Sequence, residues 1–150
     1  MRALLQRVSR AEVRVGGAAV GSIGPGVLVL LGVGHGDDEA TADALARQIC
    51  ELRIFEDAEG RTNRSLLDVD GEALIVSQFT LYADTRRGRR PGFTNAATPA
   101  LARVLWLRVA AGIEVQGVPT QLGEFGAEMA VELVNDGPFT IWLDTADRGA

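Results

Sequence analysis

The sequence contains no lysine, and its 15 basic residues are all arginines. A Schiff-base lysine, a Ser-Lys dyad and a Walker-type phosphate loop each require a lysine, so these three kinds of site are excluded. The single histidine, His35, excludes a metal site with several histidine ligands. A Ser-His-Asp triad would have to use His35, and no Gly-x-Ser-x-Gly segment accompanies it.

Cysteine and long apolar runs are equally scarce. The one cysteine, Cys50, cannot build a disulfide framework, and we expect it to be a small core residue. No apolar run approaches the roughly 20 residues that a membrane span needs, and residues 1–7 lack the apolar centre of a signal peptide. A length of 150 residues fits one domain over residues 1–150. We therefore expect a single-domain cytoplasmic protein.

Charge is unevenly spread along the chain. The formal net charge is −5, yet residues 84–108 contain six arginines and one acid, Asp84. This local basic segment on an acidic protein suits a surface that grips one part of a polyanion. A solvated arginine loop with no ligand explains the same pattern, and both interpretations stay open.

Periodicity and turn signals predict mixed strands and two helices. The apolar run 27–31 predicts a strand buried on both faces, and acidic and capping groups at 37–41 predict a helix to about residue 52. Thr98-Pro99 predicts the start of a second helix, which Gly112 would close. The other predicted strands are 3–15, 18–23, 73–82, 113–115, 128–134 and 141–143, with loops at 56–64 and 121–126 and a frayed tail at 144–150.

The strand 73–82 begins as a buried run and ends with polar residues. In an extended chain Gln78 and Thr80 share one face, and Ser77 and Phe79 share the other. Polar residues at the end of a central strand often line a site, although a strand that emerges into solvent has the same pattern. His35, in the glycine-rich break after residue 31, is interpreted as a loop residue.

The segment 134–140 joins two predicted strands around Gly137-Pro138. Proline fixes φ and lacks a backbone donor, while glycine permits angles that are closed to other residues. A hairpin turn is the simpler interpretation, and a rigid backbone probe is the alternative. From these residues alone the reaction type stays open.

Two motifs together resemble the signature motifs of the D-aminoacyl-tRNA deacylase family: Ser77-Gln78-Phe79-Thr80-Leu81 and Asn135-Asp136-Gly137-Pro138-Phe139-Thr140. The resemblance covers nearly the whole chain. Glu124 and Gly92 depart from the family pattern, at positions outside both motifs. The resemblance implies an α/β fold with two packed mixed β-sheets and two helices on one face, in three layers.

The resemblance also implies an activity, which is hydrolysis of the ester that joins a D-amino acid, or glycine, to the terminal ribose of tRNA. It implies a homodimer in which a cis Gly137-Pro138 bond enters the partner's active site and excludes L side chains. D-aminoacyl-tRNA is then the expected partner, with neither DNA nor a membrane, and no cofactor or metal is expected.

Residue roles follow from the resemblance at matching positions. Ser77, Gln78 and the amides of Phe79 and Thr80 would orient the ester and stabilise the oxyanion. Arg7 and Asn135 would brace the Gly-Pro motif. Phe125 and Met129 would border the terminal adenine. Four arginines would hold tRNA phosphates: Arg86, Arg87, Arg89 and Arg90.

Thr80 could be a nucleophile, but nothing in the sequence is placed to deprotonate it. We favour a route in which the ribose 2′-hydroxyl helps to activate water. Two rival functions are a noncatalytic RNA-binding or interaction module on the same fold and a metal-dependent deacylase that uses His35, Asp37 and Asp38.

Overall fold

The computed structural model describes residues 1–148 of the chain. Its elements, in chain order, are β1 (Arg2–Val15), β2 (Ala18–Ile23), β3 (Gly26–Gly32), α1 (Glu39–Glu51), β4 (Phe55–Glu56), β5 (Thr62–Arg64), β6 (Glu72–Ser77), α2 (Pro99–Val115), β7 (Thr120–Leu122) and β8 (Ala130–Asp144). Short 3-10 helices follow β6 and β8, at Phe79–Tyr82 and Thr145–Arg148. No helix within residues 1–148 is both long enough and apolar enough to span a membrane.

β1 is the strand around which the sheet is assembled. It pairs antiparallel with β3 through its first half, with β2 through its second half, and with β8 along both halves. β6 and β7 extend the sheet from β3 as parallel neighbours. α1 lies in the connection from β3 to β6, and α2 in the connection from β6 to β7, which is the usual way to join parallel strands.

The alternating side chains of β3 separate two hydrophobic clusters. Val27 and Val29 pack in the cluster that contains α1 and α2, whereas Leu28 packs with Val8 and Val13 of β1 in the other. Helices therefore cover one face of the central strands, and the second halves of β1 and β8 cover the opposite face. The predicted α/β fold class, with two helices on one face, is confirmed. The two packed layers of strands belong to one six-stranded sheet, because β1 and β8 run through both layers.

Capping residues set the starts of both helices. Asp38 accepts a hydrogen bond from the Thr41 amide at 2.8 Å at the start of α1, and Thr98 accepts one from the Leu101 amide at 3.4 Å at the start of α2. Both helix starts are confirmed. Cys50 is buried in the core, and this burial raises the pKa of its thiol to about 11, which confirms its interpretation as a core residue.

The second helix does not end at Gly112, and the predicted strand 113–115 is wrong. α2 continues to Val115, and Ile113 is buried in the core. A Cβ on Gly112 would lie 2.9 Å from the Ala46 Cβ of α1. Glycine at this position therefore allows the two helices to approach closely, and it does not terminate the helix.

The hairpin predicted at 134–140 is also wrong. β8 is one continuous strand in which Val134 and Ile141 both pair with β1 and not with each other. Between Asn135, opposite Val8, and Thr140, opposite Gln6, the four residues 136–139 loop out from the ladder. Because β1 is long enough to pair with both halves of β8, the two halves run in the same direction on either side of this loop.

Four smaller predictions are corrected as well. The strand expected over 73–82 ends at Ser77, residues 121–122 of the expected loop belong to β7, and the expected charged loop 56–64 includes Glu56 of β4 and all of β5. The tail expected from residue 144 is partly tied down, because the Thr145 amide donates to the Met1 carbonyl at 2.9 Å. Residues 149–150 of that tail lie outside the described residues.

Candidate active site

The carboxyl ends of the parallel strands β3 and β6 meet at one edge of the sheet, where Leu31 pairs with Ser77. A largely apolar cavity of about 390 Å³ opens at this edge, and Ser77, Gln78 and Phe79 form part of its lining. α2 supplies another part of the lining, including Trp106. The polar strand end predicted to line a site therefore does line a cavity.

The chain turns sharply after Ser77. The Gln78 amide still donates to the Leu31 carbonyl at 2.7 Å, and its side-chain Nε2 donates to the Thr80 hydroxyl. The amides of Phe79 and Thr80, at the start of the 3-10 helix, donate no hydrogen bond to any residue from 1 to 148. Free amide N–H groups at a helix start can donate hydrogen bonds to a negatively charged atom, so this turn can stabilise an oxyanion.

Neither Ser77 nor Thr80 has a general base beside it. Within the described residues, no carboxylate or imidazole is hydrogen bonded to either hydroxyl. His35 lies elsewhere and is bonded through Nε2 to the Thr94 carbonyl. Residues 1–148 therefore place no hydrogen-bonded base at the Thr80 hydroxyl.

His35, Asp37 and Asp38 each make separate contacts. Asp37 forms an ion pair with the Met1 ammonium at 2.6 Å, and Asp38 caps α1. The pKa of Asp38 is lowered by its hydrogen bonds from Thr41. Residues 1–148 contain no cluster of three or more His, Cys, Asp or Glu side chains that could hold a metal ion.

The arginine loop, residues 85–91, is followed two residues later by Phe93, which lines the cavity. Two backbone hydrogen bonds between Asp84 and Gly92, of 2.7 and 2.9 Å, close its base. Arg86 is bidentate with the Asp84 carboxylate, and this contact lowers the pKa of Asp84. The three remaining arginines are exposed and have no carboxylate within 4.0 Å in the part of the chain that is described: Arg87, Arg89 and Arg90.

Two aromatic pairs border the cavity. Phe79 and Phe93 meet edge to face with centroids 5.1 Å apart, and Trp106 and Phe125 are tilted with centroids 5.6 Å apart. The Trp106 indole N–H is buried and has no hydrogen-bond partner within residues 1–148. Sequence reasoning found Phe125 but missed Phe93 and Trp106. The helical spacing of Trp106 with the buried residues of α2 could have indicated it.

The loop 136–139 of β8, here called the Gly-Pro loop, is held by side chains of its own chain. Arg7 is buried, and its guanidinium donates to the Asp136 carbonyl at 3.0 Å and lies 4.7 Å from the Phe139 ring centroid. Asn135 spans the loop base, donating to the carbonyls of Arg7 at 2.8 Å and Phe139 at 3.0 Å and accepting from the Phe139 amide at 3.3 Å. Gly137-Pro138 is a cis peptide, and both residues are exposed.

Within one chain the cavity and the Gly-Pro loop are separate. None of the four predicted residues of the loop region lines the cavity: Arg7, Asn135, Gly137 and Pro138. Met129 does not line it either, because its side chain packs with the second hydrophobic cluster. The fold therefore brings Ser77, Gln78, Phe79 and Phe125 to one cavity and leaves the other candidates elsewhere.

The two departures from the family pattern are on the surface. Gly92 contributes only backbone atoms to the base of the arginine loop, and a Cβ there would meet nothing within 4 Å. Glu124 is exposed and precedes Phe125. Neither residue disturbs the cavity lining.

Comparison with known proteins identifies the family of this chain. The family model for D-Tyr-tRNA(Tyr) deacylase matches residues 4–144. A protein named D-aminoacyl-tRNA deacylase from Thermomicrobium roseum is 62% identical over 98% of this chain and 96% of its own length. Another of that name from Paracoccus denitrificans is 55% identical over 99% of both chains.

Solved structures show the same fold. A structure named c-Myc DNA Unwinding Element Binding Protein has a TM-score of 0.91 and 38% identity, covering 96% of this chain and 98% of its own. A probable eukaryotic D-amino acid tRNA deacylase has a TM-score of 0.78 at 18% identity, covering 95% and 97%. The sequence matches place the chain among the hydrolases. The chain belongs to the D-Tyr-tRNA(Tyr) deacylase family.

Replacement of Asn135 by aspartate tests how the Gly-Pro loop is held. Asn135→Asp is nearly isosteric but places a carboxylate against two carbonyl oxygens, so we expect the free energy of unfolding to fall by about 2 kcal/mol. Urea denaturation measures this loss. Asn95→Asp, at an exposed asparagine, is the control. Equal small changes in both variants would contradict the bracing role of Asn135.

Proposed function

We propose that the chain hydrolyses the ester between a D-amino acid and the terminal ribose of tRNA, and also acts on glycyl-tRNA. The observation that carries this proposal is the Ser77–Thr80 turn, which borders a cavity and leaves two amides without an acceptor in residues 1–148. The arginine loop begins beside the same cavity, which suits a substrate whose reactive end is attached to a polyanion. tRNA is charged in the cytoplasm, where we expect the enzyme to act.

The proposed reaction is attack of water on the ester carbonyl carbon. The bond from that carbon to the ribose oxygen breaks, the ribose oxygen takes a proton, and the products are a free amino acid and tRNA. Ser77 and Gln78 orient the ester, and the amides of Phe79 and Thr80 stabilise the tetrahedral oxyanion. With no base hydrogen bonded to Thr80, the ribose 2′-hydroxyl activates the water and Thr80 positions the substrate.

Removal of the Thr80 hydroxyl should have a modest effect. We expect Thr80→Ala to keep kcat within about tenfold of the unmodified enzyme, whereas loss of a true nucleophile costs far more. A tRNA with a terminal 2′-deoxyribose should react about a hundredfold or more slowly. Single-turnover deacylation measures both, with Thr62→Ala on β5 as the control. An inactive Thr80→Ala enzyme that still binds tRNA would contradict this route.

The remaining site residues are proposed to act across a homodimer. β8 is an edge strand whose outer surface exposes Trp142 at 48% and Val134 at 42%, and such edges are normally covered. Two copies joined there would let the exposed carbonyls of Gly137 and Pro138 enter the partner's cavity and hold the substrate amino group. The rigid backbone then excludes an L side chain, and Arg7 and Asn135 support it.

The tRNA end is proposed to bind along the cavity edge. Phe125 borders the terminal adenine in the cavity, whereas Met129, for which the same role was expected, packs against the second hydrophobic cluster. The four arginines of the loop hold backbone phosphates: Arg86, Arg87, Arg89 and Arg90.

Mixed dimers test whether the Gly-Pro loop acts across the interface. One variant disables the cavity with Ser77→Ala and Gln78→Ala. The other disables the loop with Gly137→Ala, because Gly137 has φ +144° and a Cβ there would lie 2.8 Å from the Phe139 amide nitrogen. After subunit exchange at equal amounts we expect about one quarter of unmodified activity, since about half of the dimers are mixed and each has one intact site. No recovery in samples that contain mixed dimers, or a monomeric protein, would contradict this arrangement.

Chiral selection is the direct test of the activity. We expect release of D-tyrosine from D-tyrosyl-tRNA at least about a hundredfold faster than release of L-tyrosine from its L counterpart. Thin-layer separation of the released amino acid measures both rates. Binding of tRNA without release of D-tyrosine would favour the noncatalytic module, and loss of activity in chelator would favour the metal-dependent rival.

A further inference from the structure

Two phenylalanine rings stand exposed at the mouth of the cavity. Phe79 is 58% exposed and Phe93 is 37% exposed, although both also line the cavity. Their rings meet edge to face, with centroids 5.1 Å apart and planes at 74°. An edge-to-face pair uses one face of one ring, so three of the four ring faces are outside the pair contact.

The arginine loop starts directly beside these rings. Phe93 follows Gly92, which closes the loop base with Asp84, and Phe79 begins the 3-10 helix that leads into the loop. Asp84 neutralises Arg86, whereas Arg87, Arg89 and Arg90 are exposed and have no carboxylate partner in residues 1–148. Aromatic faces and unneutralised cations thus share one edge of the fold, which is the combination that binds single-stranded nucleic acid.

We propose that the Phe79–Phe93 pair is a stacking site for the base of the nucleotide that precedes the aminoacylated one, and that the arginine loop takes the phosphate between them. This inference rests on the proposed function. A cavity of about 390 Å³ is near the lower end of small-ligand sites and suits one nucleoside. The preceding nucleotide therefore lies outside the cavity, where the exposed rings are.

Stacking predicts little dependence on the identity of this base. Every base has a π face, and aromatic stacking is tolerant of sequence. The site therefore adds affinity for a single-stranded 3′ end without reading its sequence. The two exposed rings could instead be covered by a second protein subunit. The exposed arginines beside them favour an anionic ligand, because they would attract its phosphates.

The test compares three D-tyrosyl esters as substrates: adenosine, the dinucleotide cytidylyl-adenosine, and the same dinucleotide without the cytosine base. The unmodified enzyme should prefer the full dinucleotide ester over the adenosine ester. Its kcat/KM for the dinucleotide without the cytosine base should be about fivefold to a hundredfold lower than for the full dinucleotide. Phe93→Leu, which keeps an apolar side chain but removes the ring face, should reduce the preference by a similar factor. Uracil in place of cytosine should change it by less than about threefold.

Val115→Ala, at a residue that is 87% exposed on α2, is the control for loss of exposed apolar surface. Equal losses for adenosine and dinucleotide esters in Phe93→Leu would overturn the stacking site while leaving the proposed function intact. A change of oligomeric state in Phe93→Leu would assign the rings to a subunit contact instead. Hydrolysis of none of the esters, and of no D-aminoacyl-tRNA, would overturn the proposed function and this site together.

Discussion

The parallel pairing of β3 with β6 is the constraint on which the site depends. The two strands stay in register from Gly26–Glu72 to Leu31–Ser77, so both finish at the same level. Their backbones are close from the start, since a Cβ on Gly26 would lie 1.9 Å from the Glu72 carbonyl oxygen. Because the pairing with β3 ends there, the chain that leaves β6 has no neighbouring strand to hydrogen bond with, and it turns. That turn produces the free amides beside the cavity.

A second constraint fixes the Gly-Pro loop. Arg7 is a buried cation, and burial of a guanidinium is tolerated only when its donors are satisfied. The carbonyls of Ile54 and Asp136 satisfy them at 2.7 and 3.0 Å, and Asn135 ties the two ends of the loop together. The loop is thus held by side chains of its own chain, and none of its residues lines the cavity. A site that uses both needs two copies, which is the physical basis of the proposed homodimer.

The charge distribution supports the proposed position of the tRNA end. An overall charge of −5 repels nucleic acid from most of the surface, whereas the arginine loop offers a local basic contact. The exposed Phe79–Phe93 pair lies at the base of that loop. The proposed phosphate contacts, the proposed stacking site and the cavity therefore follow one another along a single edge.

Much of this arrangement was predictable from the sequence. The caps at Asp38 and Thr98, the strand at 27–31 buried on both faces and the polar end at Ser77 are local signals, and each is confirmed. Residues 113–115 were misassigned because Gly112 serves the contact between helices and does not cap.

By itself, then, the sequence determined the helix starts, the central strand and the signature motifs, because these depend on neighbours within a few residues. Only the tertiary structure decided where the motifs go. Ile141 pairs with Leu5, at the other end of the chain, so no local pattern distinguishes a hairpin from a loop in one long strand. Phe93 and Trp106 likewise became cavity residues only through packing between elements that are distant in sequence.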